Sequence, residues 1–171
     1  LKQKFEITAA LALLMFTLVF ATCRYSTKDI SSIDPAIKTF RVNYLENKAR
    51  YVNPQLSPKL TEALRQKISS QTRLREVNDE TGDYEISGYI SDYSVTTSGI
   101  ANQRSGTNRL NVSFHLVFKN TQDATKNFEA DVTTNYDFDA NRTLQEAEQE
   151  LGDKIIKNLT ESIFNRIFSN W

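Results

Sequence analysis

The residue types that most often carry chemistry are scarce in this chain. Among 171 residues there is one cysteine, Cys23, and one histidine, His115. A lone Cys excludes an intrachain disulfide framework and a Cys-rich zinc or iron–sulfur site, and a lone His excludes the multi-His metal centres. His115 falls between Phe114 and Leu116 in an alternating run, which puts it on the opposite face as a solvated or interface histidine, with no nucleophile spaced to use it. Asp137, Asp139, Asn141 and Glu148 match several ligand positions of a calcium loop, but Arg142 stands where that loop needs Gly. Capping of the helix that follows accounts for the same acidic residues more simply. Tyr84, Tyr89, Tyr93, Tyr136 and Phe128 sit on alternating runs, where aromatic side chains serve first as core and cross-strand packing. The reading is a chain without catalytic residues, metal or cofactor. With 21 basic and 21 acidic side chains, it is also not a general nucleic-acid binder.

What remains of the reactive inventory is the position of Cys23. Lys2 and Lys4 form a short basic start, and residues 7–21 then carry no charge. A membrane-spanning helix needs about 20 apolar residues, so this run is short for a span and fits the core of an export signal. A cysteine directly behind such a core reads as a lipoprotein cleavage site, where the thiol is acylated and becomes the new N-terminus. Phe20 and Thr22 depart from the usual Leu and Gly or Ala of that site, and the other reading is an ordinary signal with an incidental cysteine. Each methylene of an acyl chain adds about 0.8 kcal/mol of membrane affinity, so a triacyl anchor is effectively permanent. The expected organisation is a signal peptide at 1–22, a lipidated tether at 23–37 and a single domain at 38–171.

The elements that must present any functional side chain follow from periodicity. Phe40, Val42 and Tyr44 alternate over residues 38–44 and predict a half-buried strand, followed by a polar loop at 46–54. Ser57-Pro58 opens a helix, with Ser as N-cap and Pro at the first helical position, and Leu60, Ala63, Leu64 and Ile68 form its apolar stripe. Residues 74–77 are a candidate short strand. Three long strands come next: Tyr84, Ile86, Gly88 and Ile90 on one face, continuing through Tyr93 and Val95; then Leu110 to Phe118; then Phe128 to Tyr136. Residues 98–108 form the long tip between the first two. Thr143 and Glu146 have the spacing of a capping box, and Leu144, Ala147, Leu151, Ile155, Leu159, Ile163 and Ile167 continue one apolar face over the closing helix. The predicted fold is α+β, a four-stranded mixed sheet with two helices packed on one face, in the order β-α-β-β-β-α. Residues 24–76 hold 11 Lys/Arg against 5 Asp/Glu and residues 77–171 hold 8 against 15, a lopsided distribution that favours a basic patch in the first part.

With these elements in place, the sequence resembles a known family. Val52-Asn53-Pro54-Gln55-Leu56-Ser57 followed by Thr61-Glu62-Ala63-Leu64, then Ser69-Ser70-Gln71-Thr72, Gly88-Tyr89-Ile90 and Tyr93-Ser94-Val95-Thr96 are similar to the LptE lipoproteins of Bacteroidetes-type bacteria. So are Asn108-Arg109-Leu110, Phe118-Lys119-Asn120-Thr121, Asn127-Phe128-Glu129 and the ending Ile163-Phe164-Asn165-Arg166 with Asn170-Trp171. The resemblance is collinear over nearly all of the chain after Cys23. Arg24 departs from it, standing where this family usually has Gly.

The resemblance implies a role in lipopolysaccharide assembly at the outer membrane. Proteins of this family sit as a plug inside the β-barrel of an LptD-type partner, help it fold and contact lipopolysaccharide. A plug needs a rigid body with a polar exterior matching a watery lumen, and no catalytic residue. Lipid A phosphates are best met by Arg or Lys on preorganised loops. Arg104, inside the tip, and Arg109, at the following strand start, are therefore the expected primary pair. Lys119 and Lys126 flank the turn at the opposite end. The alternative function is a lipid- or small-ligand-binding periplasmic lipoprotein of a transport system without a barrel partner.

Overall fold

The computed structural model describes residues 33–78, 82–98 and 106–169, and Cys23 and Arg104 lie outside them. The elements are β1 (Thr39–Val42), β2 (Glu46–Asn47), α1 (Leu56–Gln71), β3 (Arg75–Glu76), β4 (Tyr84–Ser98), β5 (Thr107–Asn120), a 3-10 turn (Ala124–Lys126), β6 (Phe128–Asp139) and α2 (Leu144–Phe168). The sheet runs β3-β1-β4-β5-β6, with β2 also paired to β4. β1, β2 and β3 pair in parallel and β4, β5 and β6 form an antiparallel meander. The α+β class and the mixed sheet are as predicted. The sheet has six strands rather than four, because the two-residue β2 and β3 extend it where the chain passes beside β4 and β1.

Both helices cover the same face. Leu60, Leu64 and Ile68 of α1 and Ile155, Leu159, Ile163 and Ile167 of α2 are buried with Phe40, Ile86, Ile90, Leu110, Val112, Phe114, Leu116 and Phe118 of the sheet in one core. The core also takes in Ile33 and Ile37, so the last residues of the expected tether belong to the folded unit. β1 and β6 run in the same direction and each is followed by a helix that returns, which makes the two helices parallel. Asn53 accordingly meets Glu148 near both helix starts, and Lys67 approaches Glu161 further along.

Two breaks in strand parity decide which side chains face the core. Val42 pairs with Ile86 while Glu46 pairs with Tyr89, so the chain holds one extra residue between β1 and β2. A one-residue slip exchanges the faces. Tyr44, expected on the buried face, is 59% exposed, and Leu45 is buried instead. Leu45 N donates to Thr61 Oγ1 (3.1 Å), whose hydroxyl donates to Ser57 O (2.8 Å), fixing the extra residue against α1. A second shift between Ile90 and Asp92 lets Tyr93 follow Ile90 into the core. Gly88 lies under the Phe114 ring: a Cβ there would fall 2.2 Å from His115 O and 2.6 Å from Phe114 Cζ. Only glycine lets β4 and β5 approach this closely.

The helix starts differ in how well their local sequence describes them. Thr143 caps α2 with the full capping box to Glu146. α1 begins two residues earlier than its sequence implies: Gln55 is the N-cap without a side-chain bond, and Ser57 is buried in the first turn. Pro58 still falls within that turn, where its missing N–H has no intrahelical partner to lose.

Candidate functional site

With both helices on one face, the opposite face of the meander is left uncovered, and each row across it is built from cross-strand partners. Tyr89, His115 and Asp131 share one row, Asp92, Ser113 and Thr133 the next, then Ser94, Asn111 and Asn135, and finally Thr96, Arg109 and Asp137. Every one of these side chains is polar or charged, apart from the Tyr89 ring. They are joined to one another: Ser113 and Thr133 hydroxyls lie 2.9 Å apart and Asn111 Nδ2 donates to Thr96 Oγ1 at 3.2 Å.

Arg109, at the end of β5 next to the tip, donates from Nε and Nη2 to the two Asp137 oxygens at 2.7 and 3.1 Å. This bidentate pair lowers the Asp137 carboxyl and raises the guanidinium. It commits two of the five guanidinium N–H donors and leaves the others free. Lys119 Nζ lies 4.0 Å from Glu85, and Lys126 Nζ lies 3.8 Å from Asp123 at the end of the 3-10 turn. Ten residues of β5, about 33 Å of strand, separate Arg109 from Lys119. The structure thus places Arg109 at one end of the sheet and Lys119 and Lys126 at the other, and does not bring them together.

His115 is on the uncovered face, as its alternation requires. Its Nδ1 lies 2.8 Å from Asp131 Oδ1 and its Nε2 lies 3.4 Å from Glu129 Oε2. The Asp131 hydrogen bond is the main influence raising its pKa, with both carboxylate charges adding to it. The ring packs 5.1 Å from Tyr89, which in turn lies under Lys48 Nζ at 4.6 Å. Of the aromatic residues singled out from sequence, Tyr84, Tyr93 and Tyr136 are buried in the core and Phe128 stacks on Phe118. Tyr89 alone faces outward.

A polar knot that sequence reasoning missed joins three distant segments. Glu148 Oε1 accepts from Tyr93 OH (2.8 Å) and Asn53 Nδ2 (3.0 Å), and its Oε2 accepts from Tyr51 OH (3.3 Å). Tyr51 stacks on Tyr93 with centroids 5.5 Å apart. Burial and then the Glu148 carboxylate push the Tyr93 phenol far above its ordinary pKa. A cavity of about 150 Å³ lies beside the knot, lined by Asn53, Lys59, Tyr93, Glu148, Gly152 and Asp153 among others. The acidic residues that match a calcium loop are dispersed. Asp137 holds Arg109, Asp139 Oδ1 accepts from Asn141 N, and Glu148 sits in the knot. Among the described residues no three His, Cys, Asp or Glu side chains converge as metal ligands.

The helix-backed meander is also the fold that the comparisons with known proteins find. The family model of LptE, described as lipopolysaccharide-assembly, matches residues 37–167. The chain belongs to the LptE family. Two solved structures share the fold: a minor lipoprotein from Acinetobacter baumannii, with 15% identity and TM-score 0.53 over 79% of this chain and 95% of that one, and an uncharacterized lipoprotein B from Nitrosomonas europaea, with 16% identity and TM-score 0.54 over 83% and 88%. No curated protein matches the sequence. LptE membership makes the protein a lipopolysaccharide-assembly lipoprotein of the cell envelope. Among the described residues no helix is long and apolar enough to cross a membrane.

Proposed function

We propose that this LptE protein is the plug and assembly partner of an LptD-type outer-membrane β-barrel, held at the periplasmic face by an acylated Cys23 and contacting lipopolysaccharide in transit. The observation that carries the reading is the uncovered sheet face, whose rows from Thr96 to Glu85 are polar or charged apart from the Tyr89 ring and Val117. A plug surrounded by barrel wall meets a hydrated, polar lumen, and a surface of paired charges and hydroxyls suits it better than an apolar one. The helical layer supplies the rigidity.

Lipopolysaccharide contact is assigned to the tip end of the sheet, with Arg104 and Arg109 as the primary pair and Lys119 and Lys126 as the alternative end. The three donors that Arg109 does not share with Asp137 can meet a phosphate oxygen. The double variant Arg104→Ala/Arg109→Ala is expected to keep its fold and barrel association and to bind lipopolysaccharide more weakly, with the difference shrinking as salt rises. Unchanged binding at low salt would remove this assignment while leaving the family membership intact. Loss of binding in Lys119→Ala/Lys126→Ala instead would move the contact to the other end.

A further inference from the structure

The two edges of the sheet are protected very differently. One ends in β3, only two residues long, and so offers little for another strand to pair with. The other is β6, twelve residues without Pro, Gly or Lys, whose register to β5 runs without a shift from Thr107↔Asp139 to Phe118↔Phe128. Shortness, proline, lysine and bulges are among the devices that keep an edge from accepting another strand; β6 has none of these, and the charges it does carry are all acidic.

Which backbone groups face outward follows from the ladder. Ala140 N donates to Gly106 O at 2.9 Å, and this pair continues the β5–β6 register. In an antiparallel ladder alternate residues bond the neighbour and the others turn away. The even-numbered residues of β6 therefore bond β5, and the N–H and C=O groups of Glu129, Asp131, Thr133, Asn135 and Asp137 point to the free edge. Among the described residues no strand lies on that side.

The same odd-numbered residues put their side chains on the uncovered face. Glu129, Asp131 and Asp137 are acidic, with side chains 66%, 73% and 52% exposed despite their contacts to His115 and Arg109. This row argues against a second copy as the occupant: antiparallel pairing of two β6 strands about Thr133 would set Glu129 opposite Asp137, and like charges directly opposed destabilise a strand pair. An added strand with basic side chains would meet the acidic row favourably instead.

We propose that the outer edge of β6 is a strand-addition site for an extended segment of a partner protein that carries Lys or Arg at every second residue. Main-chain hydrogen bonds supply the attachment and the acidic row supplies the choice of partner. The inference rests on the edge and its charges, and stands or falls separately from the lipopolysaccharide reading.

The test uses the full-length chain in detergent and three 12-residue peptides, matching β6 in length. One alternates Lys with Val, one alternates Glu with Val, and the third is the Lys peptide N-methylated along its backbone, which keeps the charge and removes the donors. The Lys peptide is expected to bind about tenfold or more tightly than either of the others, and to slow amide exchange at Glu129, Asp131, Thr133, Asn135 and Asp137. Asn135→Pro takes from the backbone only an outward N–H group, so it should keep the melting transition and abolish binding. Equal binding of the N-methylated peptide would reduce the site to simple charge attraction and overturn the proposal. So would exchange protection confined to other elements, or a concentration-dependent dimer of the chain that protects β6.

Discussion

Asp83 shows how much of this fold can depend on one side chain. Its Oδ2 accepts from Lys38 N (2.8 Å), Thr39 N (2.9 Å) and Thr39 Oγ1 (2.9 Å), while Oδ1 accepts from Gln122 Nε2 (2.7 Å). One carboxylate thereby joins the start of β1, the start of β4 and the turn after β5. Burial works to raise its pKa, but the bonds from Lys38, Gln122 and Thr39 outweigh it and hold the carboxyl below its ordinary value. A depressed carboxyl stabilises the folded state above its unfolded pKa, about 3.9, and that contribution disappears as pH falls through the lower folded value. Asp83→Asn should therefore cost about 1–3 kcal/mol at pH 7. The gap from wild type should narrow in urea melts taken below pH 4. A gap that widens on acidification would mean that the carboxylate is not the stabilising form. The Glu148 knot is comparable in kind but was illegible in the sequence, because Asn53, Tyr93 and Glu148 have no mutual spacing until the fold exists. Asp83 was equally silent, whereas His115 could be assigned its face from the alternation around it.

At the scale of elements, legibility followed the range of the interactions. The cap and apolar stripe of α2 are local: Thr143 and Glu146 are three residues apart and the stripe repeats every turn, and both are found as read. β2 and β3 have two residues each and no period of their own; they exist only because β4 and β1 run beside them. The exchange of Tyr44 for Leu45 has the same origin, since the extra residue is defined by the partner strand's register. Ser57 before Pro58 imitates a cap, while the actual turn is set by Leu56 N donating to Asn53 O. The α2 stripe gives a direct test. Leu159 is fully buried and Lys157 is exposed, so Leu159→Ala is expected to cost about 2–5 kcal/mol and Lys157→Ala under about 0.5 kcal/mol. Similar losses at both positions in denaturant melts would contradict the packing of this helix.

For the whole molecule, the layered architecture separates two tasks. The helical side carries the core and therefore the stability, and the open side of the sheet carries the polar surface available to partners. The sequence indicated the α+β class and the family, but not the placement of acidic residues along a free edge, which only the register of β6 brings into view. Anchoring belongs to the same scale. Cys23→Ala is expected to leave an uncleaved precursor or a soluble periplasmic form, checked by fractionation and by labelling with a fatty-acid analogue. A variant that sorts like wild type would remove the acylated anchor from the account.

The central claim is a stable partnership with an outer-membrane β-barrel, and isolation of the full-length tagged chain from envelopes in mild detergent tests it most directly. The account predicts one large β-barrel protein recovered in a one-to-one complex that survives size-exclusion chromatography, and less of that barrel when the chain carries Leu159→Ala. Recovery of the well-folded chain alone, or with bound lipid and no barrel, would contradict it.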